Sequence, residues 1–136
     1  MPRFVLLRHA MAPHSDKPDH WDFMLESEGR LLTWNLQTLP AVWAIEASDS
    51  IDSGNTDSGN TVDATAIDNH RLAYLDYEGP ITDDRGTVRQ CDPGTYEATV
   101  FSPDEYRCQL AGKRLCGEIV FVRHAGDSWR LTANSD

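Results

Sequence analysis

Three of the five histidines in the chain, His9, His14 and His20, fall between Arg8 and Glu26, and Asp22 follows two residues after the last of them. In the segment HWDFMLE, residues 20 to 26, Trp21, Phe23 and Leu25 alternate with His20, Asp22, Met24 and Glu26. A period of two predicts a strand that turns its apolar set into a core and gathers the other set on the opposite face. An imidazole and a carboxylate two residues apart on a strand stand side by side. Joined by His9, they make a set of two nitrogens and one carboxylate that suits Zn, Mn, Fe or Co and leaves positions open for water or substrate. Such a site activates water or polarises a phosphoryl oxygen. On spacing alone, hydrogen-bonded surface histidines are the commoner explanation for two histidines so placed. His14 lies in a Pro-rich stretch that makes it a poor rigid ligand.

Two further groupings could do chemistry. His70 and Tyr74 would share a face if their segment is extended, as general acid and oxygen-positioning group. The alternative is an edge-strand histidine and a core tyrosine. The segment LLRHA, residues 6 to 10, echoed by FVRHA at 121 to 125, resembles the phosphohistidine motif of the histidine phosphatases, in which His9 would be the nucleophile and Arg8 would hold the phosphate. That fold is α/β, and residues 70 to 132 offer almost only strands.

The elements that must position these groups follow from turn and breaker residues. FVLLRH, residues 4 to 9, reads as a strand; AMAPHSDKPD, with two prolines, is a loop. HWDFMLE and LLTWNL form a hairpin across the SEGR turn. AVWAIEA, residues 41 to 47, fits a helical turn or a strand. The pentapeptide DSGNT occurs twice in succession at 52 to 61, and so polar a repeat cannot offset its ordering entropy by burial. It predicts a loop insertion around residues 47 to 68, with 48 to 66 as its flexible part. HRLAYLDYEG is predicted to resume as a strand, DPG at 92 to 94 to turn, and the remainder to run as strands broken at AGKR. Repeated short strands with Gly and Pro turns predict an all-β sandwich or barrel with little helix, and 136 residues predict one domain, 1 to 136.

Composition excludes several classes. The three cysteines lack CxxC spacing, against a disulfide framework or thiolate zinc site. No apolar run approaches a membrane span, and MPRFVLLRHAMA is too short in apolar residues for a secretory signal, so the expectation is a cytoplasmic protein without a membrane partner. A net charge of -10 counts against tight non-specific nucleic-acid binding. All but two of the basic residues are arginine, however, which pairs with phosphate in a fork, so a local basic groove remains open.

Taken in order, the segments resemble one family, the 3'-phosphoesterase domain at the N-terminus of bacterial DNA ligase D. FVLLRH is similar to its FVVQKH, HWDFMLE to HYDFRLE, TWNL to SWAV, DNHRLAYLDYEGPI to EDHPLEYLDFEGTIP, RGTVRQCDPGTYE to GTVMIWDRGTYE, and LAGKRLCGEIVFVR to LHGKKLKGRFALVR. The matches run from residue 4 to about 132, leaving 41 to 66 unmatched. The resemblance implies a compact β-barrel whose cavity holds a divalent metal, manganese first and zinc or cobalt as alternatives. It also implies removal of a terminal phosphate or ribonucleotide from DNA 3' ends during end repair, with DNA and DNA-repair proteins as partners. By position, the family's metal ligands fall on His9, His20 and Asp22, and its active-site pair on His70 and Tyr74. The loop before His20 is longer than the family's, which leaves His14 as a rival to His9.

The departures concern phosphate binding. The family's arginine in HYDFRLE is Met24 here, its lysine after SWAVP falls at or near Thr38, and an arginine eight residues before the active-site histidine aligns loosely with Val62. Losing donors of this kind costs on the order of 2 to 4 kcal/mol each in transition-state stabilisation. Arg8, Arg71, Arg85, Arg89 and Arg123 are candidate substitutes, although alternation would point Arg8 and Arg71 away from their histidine neighbours. An active enzyme and a catalytically degenerate, metal-binding or interaction module are both compatible with this pattern.

Overall fold

A computed structural model of the chain describes residues 2–11, 20–40, 43, 61–70, 72–80, 86–113 and 115–134. Nine strands account for most of them: β1 Arg3–Ala10, β2 His20–Ser27, β3 Arg30–Leu36, β4 Thr61–His70, β5 Gly79–Pro80, β6 Thr87–Ser102, β7 Glu105–Gly112, β8 Cys116–Ala125 and β9 Ser128–Asn134. Eight pair in the order β1-β2-β3-β4-β9-β8-β7-β6, and β6 pairs back onto β1, so the antiparallel sheet closes into a barrel with β5 appended to β6. Closure removes the free edges that an open sheet would expose.

The alternation expected of β2 builds a wall with two buried sides. Trp21, Phe23 and Leu25 join Phe4, Leu6, Trp34, Leu36, Val62, Ala64, Cys108, Ile119, Phe121, Trp129 and Leu131 in one cluster, to which all eight barrel strands contribute. This is the barrel interior, and aromatic rings fill it: Trp34 stacks on Phe121 with centroids 4.2 Å apart, and Phe23 meets Phe121 at 5.6 Å. Burial of each such side chain stabilises the fold by about 1.5 to 3 kcal/mol. On the outer face of the same wall, Val5, Leu7, Met24, Leu31, Leu75 and Val88 form a second cluster. A 3₁₀ turn, Leu72–Leu75, supplies its cover.

Local sequence explains the joints. The β2–β3 hairpin turns through Glu28 and Gly29, both at positive φ, the conformation that a two-residue primed turn requires. Gly94 and Gly112 are register partners, and a Cβ on Gly94 would stand 2.7 Å from the Phe4 ring and 2.8 Å from the Gly112 Cα. Only glycine lets the two strands meet over that ring.

Three sequence expectations are corrected. The polar insertion does not extend to residue 68: Thr61–His70 is barrel strand β4, with Val62 and Ala64 turned into the core. The period-two signal in TVDATAID rests on small apolar residues beside a polar repeat, which masks it. The remainder of that insertion lies outside the described residues. HRLAYLDYEG does not continue as a strand, because Leu72–Leu75 winds into the 3₁₀ turn and buries Leu75. DPG is not a turn but lies inside the sixteen-residue β6. Pro93 is accommodated there near the irregularity in the β1–β6 register at Leu6/Leu7, one residue before β7 joins. Asp92 is buried and accepts the Lys113 and Leu115 amides at 3.1 and 2.9 Å, which fixes the β7–β8 turn. Of AVWAIEA only Trp43 is described, buried, its amide donating to the Pro40 carbonyl at 3.1 Å.

Candidate metal centre

The β1–β2 ladder sets His9 directly opposite His20 and Leu7 opposite Asp22. His9 therefore shares the outer face of the wall with Val5 and Leu7, and His20 and Asp22 share it with Met24. Cross-strand and next-but-one neighbours on one face approach closely enough for side chains to converge. The His9 and His20 rings stand with centroids 4.6 Å apart at 53°. Asp22 Oδ2 lies 3.4 Å from His9 Nδ1, and Asp22 Oδ1 lies 3.3 Å from His20 Nε2.

These three side chains offer one ligand atom each within 4.8 Å of one another, the group of this kind found among the described residues. Ligands about 2.1 Å from a shared ion at a tetrahedral angle stand about 3.4 Å apart, so both carboxylate-to-imidazole distances suit a common cation. Burial pushes the Asp22 carboxyl up, and the neighbouring His20 and His9 nitrogens more than reverse this, holding it down at about 2. The carboxylate is thus anionic across the physiological range. Its Oδ1 is buried and meets no aligned hydrogen-bond donor. A buried anionic oxygen of this kind is costly unless a cation satisfies it. The donor set fits a divalent metal.

This site is not in the barrel cavity, as the family resemblance led one to expect. The interior is occupied by the aromatic core, and the His9, His20 and Asp22 side chains sit on the other side of the β1–β2 wall. The reason is register: residues that face inward on β2 are Trp21 and Phe23, and one residue of displacement moves Asp22 to the opposite face.

Tyr74 comes to the same side of the wall, but by a different route from the extended segment expected. It lies half-buried in the 3₁₀ turn against the outer apolar cluster, edge-on to Tyr77 at 5.9 Å. The turn is tied down from β6 and β1. Gln90 donates from Nε2 to the Leu75 carbonyl at 2.6 Å, its amide donates to Glu78 at 2.8 Å, and Arg3 pairs with Asp76 at 2.7 Å. No spacing rule singles out Gln90; its only signal is a place two residues after Val88 on an alternating strand. His70 enters through its backbone, which pairs with Leu31 at the end of β4. Its side chain lies outside the description, as do His14, Arg71 and Arg85 entirely.

The candidate phosphate contacts are dispersed. The Arg8 guanidinium lies over the Trp21 ring, 5.5 Å from its centroid, on the face opposite His9. Arg123 pairs with Asp104 at 2.8 Å. Met24 is 1 % exposed inside the outer apolar cluster, Val62 faces the barrel core, and Thr38 is exposed just beyond β3. No helix among the described residues is long and apolar enough to cross a membrane.

Comparison with known proteins gives a consistent result. The DNA Ligase D 3'-phosphoesterase domain matches residues 12–123. The chain is 32% identical over 136 residues to the "Multifunctional non-homologous end joining protein LigD" of Mycobacterium bovis, an alignment that covers 93% of this chain and 15% of that protein. The "Multifunctional non-homologous end joining DNA repair protein LigD" of Mycobacterium tuberculosis matches at the same identity and coverage. The chain thus spans about 15% of the length of the curated relatives it matches.

Proposed function

Because the chain belongs to the DNA ligase D 3'-phosphoesterase domain family, we propose that it is a divalent-metal-dependent phosphoesterase of DNA end repair, removing a 3'-terminal phosphate or ribonucleotide. The observation that carries this reading is the convergence of one ligand atom each from His9, His20 and Asp22 within 4.8 Å. These residues would hold the ion, manganese first and zinc or cobalt as alternatives, since nitrogen and carboxylate ligands accept all three. When bound, the ion supplies Lewis-acid polarisation of a phosphoryl oxygen or an activated water. Asp22 would supply the anionic ligand on the side that the two imidazole nitrogens face, and Val5, Leu7, Met24 and Val88 keep water from the adjoining part of the outer face. His70 is assigned the role of general acid and Tyr74 that of positioning a phosphate oxygen, on their match to the family's pair. DNA 3' ends are the substrate, with a DNA-repair protein as partner in the cytoplasm. The chain acts as one domain, residues 1 to 136.

Burial of Met24 favours a second reading, a degenerate barrel that keeps the metal and serves as a binding module. An arginine in the family's strand has here become part of an apolar cluster. The histidine phosphatase reading fails on the fold, which is a closed β-barrel, and on Arg8, which faces away from His9.

Metal content of the purified protein, followed by phosphate release from a 3'-phosphorylated DNA primer with and without Mn²⁺, separates the readings. Bound metal with Mn²⁺-dependent release that His20→Ala abolishes is the expected result. Metal without turnover selects the binding module, and neither metal nor turnover overturns both.

A further inference from the structure

Asn35 on β3 is the register partner of Asp22 on β2. Along β3, Trp34 and Leu36 join the barrel core while Leu31 joins the outer cluster, so alternation puts Thr33 and Asn35 on the outer face, the side of the candidate metal centre. Directly opposed residues on one face have Cβ atoms about 4.5 to 5.5 Å apart, which sets the Asn35 amide beside the Asp22 carboxylate. Yet Asp22 Oδ1 takes no hydrogen bond, so the amide is not spent on it. What holds Asn35 instead is Gln37, which donates from Nε2 to Asn35 Oδ1 at 3.2 Å. An amide accepts through its oxygen and donates through its nitrogen. With Oδ1 engaged, Nδ2 is left to donate, and among the described residues nothing accepts from it. Asn35 is half-buried and Gln37 exposed, so a dissolved ligand can reach the pair. Neither amide belongs to the family resemblance: TWNLQ, residues 33 to 37, stands where the ligase motif reads SWAVP.

We propose that Asn35 is a substrate-binding residue of this site: its Nδ2 donates to a non-bridging oxygen of the 3'-terminal phosphate, and Gln37 is the positioning residue that aims it. A preorganised side-chain amide stabilises an oxygen on which negative charge gathers. A neutral donor suits a place opposite Asp22. A lysine or arginine there would pair with the carboxylate and compete with a shared cation, whereas an amide leaves the carboxylate to the ion. The site thereby gains a phosphate contact where Met24, Thr38 and Val62 supply no cation, and the contact itself carries no charge. The inference rests on the phosphoesterase reading for its ligand, but binding tests it without hydrolysis.

The test uses the full chain with Mn²⁺ and follows binding by fluorescence anisotropy across a salt series. It compares a DNA primer ending in a 3'-methylenephosphonate, a phosphate mimic whose carbon bridge resists hydrolysis, with the same primer ending in a 3'-hydroxyl. The wild type is expected to prefer the phosphonate end. Asn35→Ala lowers that preference about tenfold, the worth of one hydrogen bond to a charged group, and leaves the Mn²⁺-dependent rise in Tm unchanged. Because a neutral donor releases no counterion, the slope of log K against log salt stays that of the wild type. Asn35→Asp, of the same shape, turns the donor into an acceptor and abolishes the preference. Gln37→Glu offers an acceptor that captures Asn35 Nδ2 and also lowers it. Thr65→Ala, at the exposed register partner of Asn35 one strand further from Asp22, leaves the preference intact. A wild type that binds both ends alike overturns the phosphoesterase reading and the contact with it. Full preference kept by Asn35→Ala and Asn35→Asp overturns the contact alone, and an equal loss in Thr65→Ala overturns it as a general effect on the sheet.

Discussion

His9 and His20 are register partners across the β1–β2 ladder, and their rings stand 4.6 Å apart above a carboxylate, Asp22, that both approach within 3.4 Å. Ladder pairing fixes the spacing, so the imidazoles need no flexible loop to meet.

Metal binding should therefore stabilise the fold measurably. At a Mn²⁺ concentration 100 times Kd, ligand linkage adds about 2.7 kcal/mol, visible as a rise in Tm for the wild type. His20→Ala and Asp22→Asn should each abolish most of that rise while leaving far-UV circular dichroism unchanged. An undiminished Mn²⁺ response in both variants would show that the ion binds elsewhere.

Met24 should behave as a packing residue. Met24→Leu conserves volume and is expected to cost less than about 1.5 kcal/mol. Met24→Arg places a charge among Val5, Leu7, Leu31, Leu75 and Val88 and should cost about 3 kcal/mol or more in urea unfolding. Restoring the family's arginine would then loosen the cover of the wall before it could aid phosphate binding. Equal stability of the two variants would refute this.

Gln90 should control the turn that carries Tyr74. Gln90→Ala removes the 2.6 Å bond to the Leu75 carbonyl and is expected to cost about 1 kcal/mol. Amide hydrogen exchange should accelerate across residues 72 to 78 and not in β8 or β9. Uniform acceleration, or none, would mean that the turn is held by apolar contact alone.

Alkaline pH should weaken the protein through the barrel core. Burial pushes the Cys108 thiol and the Tyr96 phenol up to about 12, above their ordinary values of 9.0 and 10.0. Both groups stay neutral longer in the folded state, so their contribution is complete below pH 9 and is lost as pH rises towards 12. For Cys108 the loss approaches about 4 kcal/mol at the upper limit. The urea midpoint should fall between pH 8.5 and 10.5, and less so in Cys108→Ala. At pH 8 the exposed Cys116 should alkylate readily while Cys108 reacts only on unfolding.

The parts legible in the sequence were those written in strict alternation. HWDFMLE gave both faces of β2 because Trp, Phe and Leu mark one set without ambiguity, and the SEGR turn followed from its glycine. β4 was hidden because Val62, Ala64 and Ala66 are too small to stand out after a polar repeat. DPG misled because its aspartate works at a distance of some twenty residues, accepting amides at Lys113 and Leu115 that no local rule connects to it. At the site, the pairing of His20 with Asp22 follows from spacing, while the arrival of His9 depends on a ladder register that pattern alone does not specify. The choice of side was the hardest feature to foresee. Outer-face burial beneath a 3₁₀ turn makes Met24, Leu7 and Val5 look like ordinary core residues.

A wall sealed on both sides divides its labour by parity. Along β2, odd-numbered positions such as Trp21 and Phe23 anchor the barrel, and the even-numbered His20 and Asp22 belong to the candidate metal centre. The two sets are interleaved in sequence yet separated by the thickness of a single sheet. A mutational scan along these four residues would read as a two-beat rhythm, solubility lost on one beat and metal lost on the next. Selection can thus retune the outer side without disturbing the keel beneath it.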